Sequence, residues 1–159
     1  MNPAAYIAAI KINLVRRPLW HPGTVEECLD IARPRLNAMV ENGELPWAWN
    51  FGSGRARKEI RILGHCVIER TLGTNPTIGA TKNLNLPAVV NLILPQKRES
   101  LRCVELQRLF HSGPDLIRDL SDAGEIKKVS ERLPATGPNA SPRFTRASLV
   151  RLLEKRRIA

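Results

Sequence analysis

The chain has 159 residues, with 25 Lys and Arg against 15 Asp and Glu, which gives a formal charge of +10. With 43% apolar and 25% charged residues, its composition excludes general disorder and is typical of a folded chain. No run of about 18 apolar residues predicts a spanning helix, and the apolar start lacks a basic leader segment and is interrupted by Lys11. These features predict a cytoplasmic protein of one ordinary domain or two small ones.

The spacing of cysteine and histidine gives no indication of chemistry. The cysteines, which we interpret as small buried apolar residues in a reducing compartment, are Cys28, Cys66 and Cys103. The histidines, each isolated in the sequence, are His21, His65 and His111. Phosphate-binding glycine loops and nucleophile motifs do not occur in the sequence. We therefore expect neither an enzyme nor a cofactor or metal.

Positive charge is spread along the whole sequence. Residues 1–70, 71–100 and 101–159 carry net charges of +3, +2 and +5. A folded chain with this field attracts polyanions, of which nucleic acid is the commonest. A membrane surface would require a basic amphipathic helix with large exposed apolar residues, and no such segment is evident.

The first 20 residues combine an apolar stretch with Lys11, Arg16 and Arg17. Either the segment lies as an arm in a minor groove, or its apolar part packs on the neighbouring residues. We favour packing, with Trp20 and Val25 forming a hydrophobic staple across the first helix start. The role of the arginines stays open.

A ten-residue pattern occurs twice, 81 residues apart, as Leu36–Leu45 and Ile117–Ile126. Each copy has apolar residues at helical spacing, then a Gly that ends the helix, then Glu and an aliphatic residue. Repetition of a helix and its end predicts two related halves.

A shorter helix is expected before each copy. In the first half, Thr24–Glu27 has the form of a capping box, and Pro34 fits the first turn of the next helix. In the second half, Ser100 is expected to cap a helix from about Leu101, and Pro114 is the counterpart of Pro34. Counting back from the Gly, the first copy has roughly three fewer residues in its first helix and turn.

A β-hairpin and a final helix are expected after each copy. Residues 45–51 and 59–62 alternate apolar and polar side chains around a glycine-rich basic turn. The second hairpin is expected from residues 126–132 and 143–145, with a long loop between them. Apolar periodicity predicts the closing helices around residues 67–70 and 149–153. The predicted organisation is a first unit at residues 1–72, a connector at 73–99 and a second unit at 100–159.

The combination of an apolar-periodic helix, Gly-Glu-aliphatic and a basic hairpin resembles the winged helix-turn-helix of the MerR and excisionase-like superfamily. The resemblance covers about residues 24–70 and 101–155, with Arg61-Ile62 and Arg143-Phe144 leading out of the hairpins. It implies a mainly α fold with small β-hairpin wings, an α+β tandem, that binds double-stranded DNA. It does not separate a transcriptional regulator from an excisionase-type factor or a packaging protein.

In such a module the second helix enters the major groove and the hairpin reaches phosphates or the minor groove. In the first half we expect Arg35 and Asn37 to contact bases and Arg33 to contact a phosphate. The expected wing contacts come from Arg55, Arg57 and Lys58. The alternative is an ordinary solvated, charged hairpin.

The second half is different because its corresponding helix exposes carboxylates that repel DNA. The expected exposed residues of this helix are Asp115, Arg118, Asp119 and Asp122. One interpretation is that this half binds DNA mostly through other cations, with Arg118 as a further contact. Those other cations are Lys127, Lys128, Arg132, Arg143 and Arg146. The other interpretation is that the acidic helix contacts a protein.

Three further segments have open roles. Residues Trp47, Trp49 and Phe51 form either a base-stacking platform or, as their alternation favours, buried structure. The apolar run at residues 86–94 either packs the two halves together or forms a dimer surface. The basic run at residues 154–157 either contacts phosphates or is solvated.

The sequence therefore predicts a sequence-specific DNA-binding protein of a bacterial or mobile-element system. The alternative is an adaptor that docks a recombinase, polymerase or terminase through the same fold. The oligomeric state stays open, with a homodimer as one option.

Overall fold

The computed structural model describes residues 14–52, 58–129 and 141–159. The helices are α1 (Pro22–Leu29), α2 (Arg33–Glu41), α3 (Gly64–Leu72), α4 (Leu86–Ile93), α5 (Cys103–Leu109), α6 (Pro114–Asp122) and α7 (Arg146–Lys155). The strands are β1 (Leu19–Trp20), β2 (Ala48–Asn50), β3 (Ile60–Leu63), β4 (Ser100–Arg102) and β5 (Arg143–Thr145), and a 3-10 turn covers Thr81–Asn83. The fold is thus α+β, with helices and small antiparallel sheets. Within these residues, none of the helices is long and apolar enough to cross a membrane.

The chain follows the same path twice. The first half, from β1 to α3, has the sheet order β1-β3-β2, in which Trp20 and Ala48 flank Ile62. The second half, from β4 to α7, pairs β4 with β5, and residues 127–129 pair with the other side of β5 through the Lys128 and Phe144 bridge. Each half is therefore a strand, two helices, a hairpin and a closing helix.

Matching backbone hydrogen bonds occur in the two halves. After α2, the N–H groups of Glu44 and Leu45 both donate to Met39 O, as those of Glu125 and Ile126 donate to Leu120 O after α6. The preceding glycines, Gly43 and Gly124, both have φ near +74°. The repeat seen in the sequence thus extends to backbone conformation.

The expectation that the first copy is about three residues shorter is wrong. Asp30 and His111 both adopt the left-handed conformation in the turn between helices, with φ of 52° and 49°. They lie 81 residues apart, as Gly43 and Gly124 do, so the first helix and the turn together span the same number of residues in the two halves. The expected difference arose from the helix starts, since α1 begins at Pro22, before Thr24, and α5 begins at Cys103, after Leu101.

The starts of α1 and α5 differ from the expected caps. Helix α1 begins at Pro22, and the Nδ1 atom of its N-cap residue His21 accepts from Gly23 N at 3.1 Å, so Thr24 lies inside the helix. Helix α5 begins only at Cys103, because Ser100–Arg102 is a strand that places Leu101 opposite Phe144 in the core. Burying a large side chain stabilises by about 2 kcal/mol, which outweighs a helix cap worth about 1 kcal/mol.

The apolar stripes predicted from the repeat form the core. Trp47, Trp49 and Phe51 are at most 2% exposed, which confirms that they are buried. The apolar run inside the connector forms α4, whose buried side chains pack against α7 and belong to the common core. Of the cysteines only Cys66 is fully buried, and its burial raises its thiol pKa to about 12, whereas Cys28 and Cys103 are partly exposed.

The two halves are joined through polar contacts as well. The buried Arg61 guanidinium donates from Nε to Phe110 O at 2.7 Å and to His111 O at 3.2 Å. Trp49 Nε1 donates to Leu153 O of α7 at 2.8 Å, and the Phe51 and Phe110 rings stack with centroids 5.0 Å apart. The sheet of the first half therefore packs directly on the second half.

The C-terminal residues extend the sheet of the first half. Ala48 N donates to Ala159 O, and Ile158 N donates to Ala48 O at 2.9 Å, so the chain end lies alongside β2. The guanidinium of Arg157 lies 3.7 Å from the centroid of the Trp47 ring. The chain end thus covers the edge of β2, which would otherwise expose unpaired backbone groups.

Candidate functional site

Helix α2 presents its polar face at the leading end, as expected. Leu36, Met39 and Val40 are buried, while Arg33, Arg35 and Asn37 are exposed. Pro34 lies in the first turn, where its missing N–H requires no partner. The helix therefore carries two arginines and an amide on the side that faces away from the core.

Both arginines are held by carboxylates. Arg33 pairs with Glu26 of α1, and Arg35 Nη2 lies 3.2 Å from Glu44 Oε2. Glu44 is also 3.4 Å from Arg70 of α3. The side chains of Arg33 and Arg35 are still 50% and 53% exposed, so the pairs orient the guanidinium groups without covering them.

A groove of about 240 Å³ runs between α2 and the first hairpin. Its floor is apolar and includes Leu36 and Ile60, and its rim carries Arg33, Asn37 and Lys58. Lys58 is exposed, whereas Arg55 and Arg57 lie outside the described residues. The groove brings the expected contacts of helix and hairpin onto one side of the first half.

The corresponding helix α6 has the acidic surface that the sequence indicated. Leu116, Ile117 and Leu120 are buried, and the polar side chains on the opposite face are exposed. Those exposed charged residues are Asp115, Arg118, Asp119 and Asp122. Arg118 pairs with Asp115 at 2.7 Å, and the other charged side chains exposed on this face are carboxylates, so the face is acidic as a whole.

The other expected cations of the second half lie on its hairpin and at the start of α7. Lys127 and Lys128 are exposed, and Arg143 and Arg146 are partly exposed, while Arg132 lies outside the described residues. Arg146 Nη2 donates to Asn91 of α4 at 3.3 Å. The cationic surface of this half is therefore on the sheet and not on α6.

The basic run at residues 154–157 is largely structural. Glu125 is paired with Arg156 at 2.5 Å and with Lys155 at 3.1 Å. The hydrogen bonds from Arg156 hold the pKa of the Glu125 carboxyl below its ordinary value despite its burial. Two of the four residues therefore stabilise the end of α7.

Two histidines that are isolated in the sequence meet between the halves. The backbone N–H of His21 donates to His111 Nδ1 at 3.1 Å, and the two rings meet edge to face at 6.0 Å. Burial, followed by the charges of Arg17 and Arg61, lowers the pKa of His111 to about 4. Sequence reasoning missed this pair because only the tertiary structure brings residues 90 positions apart together.

Comparisons with models of known protein families, with curated protein sequences and with solved structures find no match. Across residues 14–52, 58–129 and 141–159, no group of three or more side chains is arranged to hold a metal ion.

Proposed function

We propose that this protein binds double-stranded DNA through the exposed face of α2 and the adjacent hairpin. The observation that carries the proposal is the placement of Arg33, Arg35 and Asn37 at the leading end of a helix whose other face is buried. Guanidinium groups match guanine O6 and N7, and an asparagine amide matches adenine N6 and N7. The overall charge of +10 favours a polyanionic partner.

The roles within the site follow from position. Arg35 and Asn37 are the base-reading residues, and Arg33 and Lys58 on the groove rim contact phosphates. Helix-turn-helix and hairpin together support a winged helix-turn-helix assignment for each half. The biological role that best fits is a transcriptional regulator or an excisionase-type factor of a bacterial or mobile-element system.

The test is fluorescence anisotropy of the full chain with mixed-sequence duplexes over a salt series, followed by selection of a preferred site. A protein that neutralises Z phosphates has a log–log salt slope of about −0.9Z. Arg35→Ala/Asn37→Ala should reduce preference for the selected site by about tenfold or more, because each bidentate contact is worth roughly 1–3 kcal/mol.

The matched control is Asn42→Ala, an exposed asparagine at the other end of the same helix. Arg35→Ala should leave the fold intact because Arg70 still pairs with Glu44. Absence of duplex binding at low salt would overturn the proposal, as would equal loss of site preference in Asn42→Ala.

A second candidate function is supported by α6. Its exposed face carries Asp115, Asp119 and Asp122, a surface that repels phosphates and complements a basic protein segment. In this adaptor function the second half docks a partner such as a recombinase, polymerase or terminase. Asp115→Asn/Asp122→Asn should abolish capture of that partner and leave duplex binding unchanged or stronger.

A further inference from the structure

We propose that the second half binds the DNA phosphate backbone through the outer face of its sheet, independently of sequence, while α6 stays out of the groove. The outer face is the side of each sheet opposite the core residues Ile62 and Phe144. This inference rests on the proposed function and adds a distinct role for the second half.

Strand register defines the outer face of the second half. Leu101 and Phe144 are opposite each other and buried, so alternation puts their neighbours Arg102 and Arg143 on the outer side. Lys127 lies on the same side, because residues 127–129 pair with the other edge of β5 around Lys128 and Phe144. Three neighbouring strand segments thus each contribute one cation.

These cations are only partly compensated. The buried Glu105 carboxylate accepts from Arg98 Nη2 at 2.8 Å and from Arg102 Nε at 3.2 Å, so one negative charge serves two arginines. In the part of the chain that the structure describes, Arg143 and Lys127 have no ion pair. Like charges directly opposite each other on a sheet are unfavourable, and a bound anion between Arg102 and Arg143 relieves their repulsion.

A backbone donor lies beside this face. In the first half, the N–H and C=O of Ala48 pair with the C-terminal residues. Lys128 is the counterpart of Ala48 in the repeat, and its N–H has no partner among the residues described. An exposed N–H flanked by lysines suits a phosphate oxygen.

Comparison of the two halves also favours a polyanion, and not a further copy of the chain, as the partner of the outer face of the second half. In the first half the outer face packs on the second half through Trp49, Arg61 and the ring stack of Phe51. The counterpart of Trp49 is Val129, and that of His21 is Arg102. On the outer face, the second half therefore has Val129 and Arg102 at the positions where the first half has the aromatic residues Trp49 and His21.

The test compares Lys127→Ala/Arg143→Ala with Lys82→Ala/Arg108→Ala, two exposed cations outside this face. Anisotropy is measured with the preferred duplex and with a scrambled duplex over a salt series. The first variant should weaken binding to both duplexes by the same factor and reduce the salt slope by about 2, which corresponds to two lost phosphate contacts. The control and Arg118→Ala should keep the wild-type slope.

Failure of the two proposals can be told apart. If the wild-type protein binds neither duplex, the proposed function fails and this inference fails with it. If the wild-type protein binds with a steep slope that Lys127→Ala/Arg143→Ala does not change, only this inference is overturned. Loss of binding to the preferred duplex alone, or a self-association in sedimentation that the substitutions abolish, would also overturn it.

Discussion

The two halves of the molecule follow the same chain path, but the outer face of the sheet is buried at Arg61 in the first half and partly exposed at Arg143 in the second. Arg61 and Arg143 occupy equivalent positions on the central strand of each sheet, opposite Trp49 and beside Val129 respectively. Arg61 is 3% exposed and donates to the second half, whereas Arg143 is partly exposed on the outer face of its own sheet. A position in a repeat is therefore interior or surface according to what lies next to it, and not according to its residue type.

The difference between these two arginines should be the largest measurable effect. Arg61→Met should lower the free energy of unfolding by about 3 kcal/mol, because it leaves the buried carbonyl of Phe110 and the partly buried carbonyl of His111 without this donor. Arg143→Met should change it by no more than about 0.5 kcal/mol. Chemical denaturation measures both values. If the two substitutions had equal effects, Arg61 would not be the more important of the two arginines for stability, and the comparison of the halves would fail.

The contact between the halves should also respond to pH through His111. Its pKa is near 6.5 in the unfolded chain and about 4 when folded, so protonation favours the unfolded state. The contribution of His111 to stability is fully present above pH 6.5 and is lost as the pH falls from 6.5 to 4.

His111→Asn is the sharpest test of this pH dependence. Asparagine tolerates the left-handed backbone, and its side-chain oxygen accepts from His21 N–H without titrating. The unfolding free energy of the variant, measured at several pH values, should fall less steeply than that of the wild type between pH 6.5 and 4. Parallel curves would exclude His111 as the titrating group.

Where the two halves share a backbone conformation, the same substitution should change the stability of the protein by the same amount in each half. Gly43→Ala and Gly124→Ala should each lower stability by about 1 kcal/mol, because both residues have φ near +74° and an added Cβ meets no atom within 4 Å. Thermal or chemical denaturation gives the two values. A difference well above 1 kcal/mol would mean that the repeat is less regular than its hydrogen bonds indicate.

Local sequence patterns were sufficient to predict much of the fold. The helix α2, its glycine end, the alternating strands and the buried tryptophans follow from side-chain period and from glycine conformation, both of which act over a few residues. The exposure of Arg33, Arg35 and Asn37 followed from the same periodicity. For the candidate site, the exposed residues of α2 and the acidic face of α6 could be predicted from side-chain spacing.

Helix starts were less predictable. Thr24 and Ser100 are both good capping residues, but His21 and Arg102 hold the N-cap positions. At Ser100 the strand pairing of Leu101 with Phe144 decides the conformation, and those residues are 43 positions apart. A cap signal is local and worth about 1 kcal/mol, so a long-range contact overrides it.

The duplication, the character of each helix face and the excess of positive charge are evident without the fold, because these depend on residue type and short-range spacing. Which cations are buried in structural contacts and which are exposed depends on how distant segments pack together. Arg61 donates to backbone carbonyls of the other half, and Arg156 donates to the Glu125 carboxylate after α6. Lys127 is exposed and Arg143 partly exposed on the sheet of the second half. The physical reason is that the free energy of a charged side chain depends on the solvent and partners around it, which distant parts of the chain supply.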